Sequence, residues 1–231
     1  MKNLKFVSSK LIYLILIIII VVCQIILSIF LLPPNQIINN WLLIIIYVIL
    51  GYIALRFFEK NAGFPEILDK KINFKEQFLI SLIFGLVFGL GAIFFDLINP
   101  FKVPQLPLPI SIPYWIFIGI TDEIFWRLFL LTFLIWVISY KLLNDNKQEQ
   151  VFWGVAIFES IIYIIIQVVL FSSFVGEITF LVLLQIVIIS GGYIVVACYC
   201  YRKGGFLAVI VLRLTQYTVY HIIYGGLTFI L

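Results

Sequence analysis

Charge is what this sequence has least of: 11% of its 231 residues are Asp, Glu, Lys or Arg, less than half the share of an ordinary soluble domain. So few charges cannot cover a water-facing surface, and 64% of the residues are hydrophobic, so the solvent for most of the chain is lipid. Histidine occurs once. The three cysteines, Cys23, Cys198 and Cys200, all lie inside apolar runs, with neither the spacing of a metal site nor that of a disulfide framework. Internal repeats are absent, and the only compositional bias is toward Ile and Phe. The net charge of +4 does not point to nucleic acid, because the positive residues sit in short loops beside apolar runs. Orientation in a membrane explains them better.

Seven apolar runs are present: Leu11 to Leu32, Trp41 to Phe58, Phe78 to Phe95, Tyr114 to Tyr140, Val151 to Phe171, Ile178 to Tyr201 and Phe206 to Leu231. The first follows Lys2, Lys5 and Lys10 as a signal peptide would, but it is long enough to span. It also ends in Leu31-Leu32-Pro33-Pro34 rather than at a small-residue cleavage site, which predicts a retained span. Backbone groups in hydrocarbon must bond within their own segment, and runs of this length suit helices rather than barrel strands. The expected fold is an all-α, polytopic membrane helix bundle of about seven spans, a multi-pass protein of the cell membrane. Residues 1–77 hold two N-terminal spans and a loop, and residues 78–231 hold the remaining core.

The basic residues alternate loop by loop. Lys2, Lys5 and Lys10, then Arg56, Lys60, Lys70, Lys71 and Lys75, then Lys141 and Lys147, then Arg202 and Lys203 fall on one side, against Lys102 alone on the other. The positive-inside rule therefore predicts an N-in, C-out chain. Of the loops, 96–113 holds five prolines and reads as a stiff surface connector. The loop 59–77 carries Ile67, Leu68, Ile72 and Phe74 among mixed charges, and reads either as a short amphipathic helix on the headgroups or as a solvated linker.

Arg127 and Arg213 remain, within spans. An ionisable group in hydrocarbon costs about 2.5–3.5 kcal/mol on insertion scales, so each needs a partner, a hydrated cavity or a function. In the fourth span Glu123 and Arg127 are one helical turn apart with the acid N-terminal, the favourable order for a pair, while Asp122 has no partner on its helix. Glu159, Tyr163 and Gln167 form one stripe on the fifth span, and Arg213, Tyr217 and His221 another on the seventh. Turning the three stripes inward makes one shared interior, the candidate site. The plainer alternative pairs Glu123 with Arg127 and Glu159 with Arg213, the stripes then only specifying how the helices pack. Gln185 is expected to hydrogen-bond a neighbouring helix, and Gly85, Gly89 and Gly91 to let helices approach.

The order of these features resembles the CPBP family of intramembrane proteases, which includes CAAX prenyl endopeptidases and bacteriocin-processing proteins, over roughly residues 78–231. The family's Glu-Glu-x-x-x-Arg motif is matched by Asp122-Glu123-Ile124-Phe125-Trp126-Arg127. Its Phe-x-x-x-His falls on Tyr163 and Gln167, and its His-x-x-x-Asn on Arg213 and Tyr217, so neither later motif is kept. The resemblance implies an acidic pair and a histidine that activate water, and a later pair that stabilises an oxyanion. Glutamine cannot shuttle a proton at neutral pH, and Arg213 can bond an oxyanion but not act as a base.

Depth along the helices gives a second placement. At 1.5 Å per residue, Glu123, Gln167 and His221 lie roughly 27, 24 and 22 Å from the basic ends of their spans, with Glu159 and Arg213 at about 12 and 10 Å. Motif counting thus brings Arg213 to the site, and depth brings His221. The residue types imply no metal. The reading from sequence is a divergent CPBP-like protein that binds a peptide or prenylated protein substrate in membrane lipid, with hydrolysis reduced, altered or lost. An active protease using His221, and a small transporter or ion-coupling subunit using the intramembrane acids, are the alternatives.

Overall fold

A computed structural model describes residues 9–30, 34–59, 61–67, 72–73, 75–99, 103–144, 147–175 and 177–228. Among them there is no strand. Six helices are long and apolar enough to cross a membrane. They are α1 (Ser9–Phe30), α2 (Ile38–Phe58), α3 (Lys75–Ile98), α4 (Ser111–Leu142), α5 (Gln148–Ser173) and a last helical stretch, Phe180–Leu227, of 48 residues. A straight helix of that length would be about 72 Å long, more than twice the thickness of the hydrocarbon core. The stretch is not straight. Gly205 has φ 75° and ψ −176°, which breaks it into two arms, α6 (180–203) and α7 (206–227).

The arms lie side by side. Phe88 of α3 is within 3.6 Å of the Cβ that Gly192 of α6 would carry, and Val219 of α7 within 2.7 Å of that of Gly89, one residue further along α3. Residues equally far before and after the break therefore share one level, and the last stretch is a hairpin of two arms rather than one straight helix. A Cβ on Gly85 would stand 2.7 Å from the Leu212 carbonyl, so α3 and α7 touch backbone to backbone, as small residues allow in lipid.

Elsewhere the helices follow the same logic of one buried stripe and one lipid face. On α1, Ile12, Leu16, Ile20, Cys23 and Leu27 are buried at helical spacing, while Leu14, Ile15, Ile18 and Val22 face outward. The hydroxyl of Tyr13 donates to the Tyr47 carbonyl at 2.9 Å and tethers α1 to α2. The amide of Asn99 donates to Gln185 Oε1 at 2.6 Å, giving Gln185 the interhelical bond expected of it.

Two loops depart from expectation. Among the described residues of 59–73 there is no surface helix: Ala62, Phe64 and Ile67 are buried in the bundle, while Leu68 and Phe74 lie outside the described residues. Apolar residues placed between charges have gone inward, to protein, rather than to the headgroups. The proline-rich loop is also more than a surface connector. A Cβ on Gly225 or Gly226 would meet Gln105 or Leu108, so residues 105–108 rest in a notch that two glycines leave in α7.

Candidate functional site

Glu123 is the hub of the interior. It lies where α4 passes from α-helical to π-helical winding, which runs from Ile124 to Leu131, and such wide turns recur at functional sites. Its Oε1 accepts from Arg213 Nε at 2.8 Å and from the Tyr193 hydroxyl at 2.9 Å. Its Oε2 lies 3.4 Å from Arg127 Nε. Glu123 and Arg127 are wholly buried and Arg213 is 3% exposed, so one carboxylate is compensated by two guanidiniums away from bulk water. Gly119, one turn before Glu123, makes room: a Cβ there would stand 3.2 Å from Arg213 Cγ.

Aromatic rings complete the enclosure. The Arg213 guanidinium sits 3.8 Å over the face of Tyr193 and 5.1 Å from that of Tyr217, the arrangement a desolvated cation prefers. Tyr217 also lies near Asp122, which is only half-buried. Tyr163 of α5 packs edge-on to Trp126 at 5.5 Å. The motif positions Asp122, Glu123, Arg127, Tyr163, Arg213 and Tyr217 are thus brought together from three helices, with Tyr193 added from α6.

The pairing of Glu159 with Arg213 does not occur. Arg213 goes to Glu123, and Glu159, also fully buried, accepts from the Cys198 thiol at 3.7 Å. The convergence of Glu123, Gln167 and His221 suggested by depth does not occur either. Gln167 makes no hydrogen bond to the Glu123 cluster among the described residues. His221 lies two turns beyond Arg213 on α7, stacked on Trp115 at 3.4 Å, with Nδ1 2.9 Å from Gln105 Oε1.

Around His221 is a second polar cluster that the sequence did not single out. The carboxylate of Asp96, 4% exposed at the end of α3, accepts from the Tyr220 hydroxyl at 3.1 Å, the Tyr224 hydroxyl at 2.8 Å and the Val103 amide at 3.2 Å. Three donors on one carboxylate make this a clamp between α3, α7 and the start of the proline-rich loop. Asp96→Ala is expected to strand both phenols and lower stability by about 1–3 kcal/mol, read as a fall in the unfolding midpoint in detergent. Asp96→Asn should fall less.

The chemistry open to the Glu123 cluster is restricted. No imidazole hydrogen-bonds Glu123, since His221 meets the cluster only edge-on at Tyr217, at 5.2 Å between centroids; Glu123 Oε1 accepts two hydrogen bonds and Oε2 faces Arg127 as an ion pair at 3.4 Å. Among the described residues no three His, Cys, Asp or Glu side chains are grouped to hold a metal ion. Comparisons with protein-family models, curated proteins and solved structures return no match.

Proposed function

We propose that this multi-pass membrane protein keeps a CPBP-like core as a binding device and does not hydrolyse peptide bonds. The observation that carries the reading is the double engagement of Glu123 by Arg213 at 2.8 Å and Arg127 at 3.4 Å. A carboxylate held by two cations is a weak base, and it would have to surrender a buried ion pair to take a proton from water. The position that would supply a histidine partner is Gln167, and Arg213 itself has taken the place of a neutral oxyanion donor.

What remains available for recognition is the half-buried edge beside the cluster. Asp122, Trp126, Tyr163 and Gln167 are all partly exposed there, between α4 and α5. A peptide or prenylated segment lying in the bilayer of the cell membrane would offer this edge backbone donors for Asp122 and an apolar chain for the rings.

The purified protein in nanodiscs, given fluorescent prenylated and leader peptides, is expected to retain the prenylated peptide without releasing product. Retention should weaken at least tenfold in Asp122→Ala combined with Gln167→Ala. Product formed by wild type and abolished in Glu123→Gln would replace this reading with an active protease. Solute uptake into proteoliposomes that is lost in Glu159→Gln would replace it with the transporter.

A further inference from the structure

Arg127 meets Glu123 through Nε alone, at 3.4 Å from Oε2. The fork of its guanidinium, Nη1 and Nη2, has no hydrogen-bond partner among the described residues, although the side chain is wholly enclosed. Glu159 of α5 is equally enclosed. It lies close enough to Arg127 for the two charges to act on each other, yet among the described residues they form no ion pair, the partner of Arg127 being Glu123. Glu159 Oε2 accepts from the Cys198 thiol of α6 at 3.7 Å, while Oε1 is left without a donor. Glu123 Oε2 faces Arg127 Nε as an ion pair but accepts no hydrogen bond.

An unsatisfied buried donor or acceptor costs about 1–3 kcal/mol, and more when it is charged. The neighbouring hydroxyls are already spent. That of Tyr193, whose ring centroid stands 5.8 Å from Arg127 Cζ, donates to Glu123 Oε1 at 2.9 Å, and that of Ser160 donates to the Gly191 carbonyl at 2.9 Å. What the remaining atoms offer together is mixed in sign: two donors on the Arg127 fork, and acceptors at Glu159 Oε1 and Glu123 Oε2. A cation would be repelled by the guanidinium, and an anion by the two carboxyl groups. A neutral molecule that both donates and accepts meets neither objection, and four polar atoms are the number a buried water can use. Arg127 also lies within the π-helical stretch Ile124–Leu131, the irregular winding that recurs where a helix carries a site.

We propose that Arg127, Glu159 and Glu123 hold ordered water between α4, α5 and α6, a hydrated site inside the bundle in which Nη1 and Nη2 donate and Glu159 Oε1 and Glu123 Oε2 accept. The bridge lets Arg127 and Glu159 stay buried without closing into an ion pair. The inference does not depend on whether the edge beside Asp122 binds or cleaves a peptide, because neither Glu159 nor Cys198 is part of that edge.

Cys198 reports on the site, since its thiol touches Glu159. X-ray radiolysis makes hydroxyl radicals from water where it stands, so a thiol beside a held water is oxidised even when bulk water does not reach it. Cys23, in the buried stripe of α1 with Ile20 and Leu27, is 6% exposed against 0% for Cys198, so burial alone would make Cys23 the faster to react. In nanodiscs Cys198 should instead be oxidised roughly tenfold faster than Cys23. Arg127→Met combined with Glu159→Leu removes the fork and one acceptor, and should bring the ratio down to about one. Glu159→Gln keeps an acceptor oxygen and should keep the ratio. If the double variant fails to fold, Cys23 is oxidised faster than in wild type, and the wild-type ratio alone then decides. A wild-type ratio of one or less, or a ratio unchanged in a folded double variant, overturns the proposal.

Discussion

Glu123→Ala is expected to be the most damaging single change in the interior, lowering stability by about 3–5 kcal/mol and the unfolding midpoint by something on the order of 10 °C. The reason is what it leaves behind. Arg127 and Arg213, at 0% and 3% exposure, would stay buried as two cations with no carboxylate between them. Arg213→Met should cost less, because Glu123 keeps Arg127 and Tyr193. Glu123→Gln should fall between, since an amide oxygen can still accept from Arg213 and Tyr193 while the charge is gone. Replacing all three charges together, Glu123→Leu with Arg127→Met and Arg213→Met, should recover much of the loss, because buried ionic groups exchanged for apolar ones of similar volume are often neutral. Raising salt should change these differences little, as buried pairs are poorly screened. A Glu123→Ala protein melting within about a degree of wild type would mean that the two guanidiniums have another acceptor.

The all-α bundle of membrane-length helices was legible because lipid leaves the backbone few choices. Once a run is apolar and long enough, it must be a helix, and the charges at its ends must alternate. The turn between the last two spans was legible in the same way, since Arg202-Lys203-Gly204-Gly205 interrupts the apolar pattern. That α6 and α7 continue as one helical stretch up to a single glycine is a finer feature, and it depends on how the turn is packed.

The same packing explains why the depth comparison failed for Arg213. Depth was counted from span ends taken to be level with the membrane surface. Gly204, Gly205 and Phe206 are in fact buried, roofed by the backbone of Glu66 and Glu76, so α7 begins well inside the bundle. Its residues lie deeper than their count from the turn suggests, and Arg213 reaches the level of Glu123. Motif spacing, which depends only on distance within one helix, was the safer guide. It puts Arg213 and Tyr217 with Asp122 and Glu123, and in the structure Arg213 pairs with Glu123 while His221 makes no bond to that carboxylate and packs on Tyr217.

Asp96 and Glu59 escaped notice for a shared reason. Each stands at the end of an apolar run, where a charge is ordinarily solvated and carries no information. Their burial comes from residues far along the chain: Tyr220 and Tyr224 for Asp96, Tyr201 for Glu59. No local pattern foretells a contact across more than a hundred residues. The surplus of tyrosines on α6 and α7 was the one available hint, because a phenol in hydrocarbon needs an acceptor as much as a carboxylate needs a donor.

Gly205→Ala should have the second large effect, of about 2–3 kcal/mol, although it adds a single methyl group. At φ 75° and ψ −176° the backbone is in a region essentially reserved for glycine, where any other residue is strained by about 1–3 kcal/mol. The new Cβ would also press on the Glu66 carbonyl at 3.2 Å. Gly154→Ala is the matched control. Nothing lies within 4 Å of its Cβ and its backbone is helical, so it should leave the unfolding midpoint unchanged or raise it, by up to about 1 kcal/mol. A double mutant then asks what the hairpin is for. If the Gly204–Gly205 turn is what carries Arg213 to Glu123, Gly205→Ala should loosen that contact, and adding Glu123→Ala should cost less than the two losses summed. The shortfall expected for coupled sites is about 0.5–3 kcal/mol. Strict additivity of the two would mean that α3, through Gly85 and Gly89, holds Arg213 in place whatever happens at the turn.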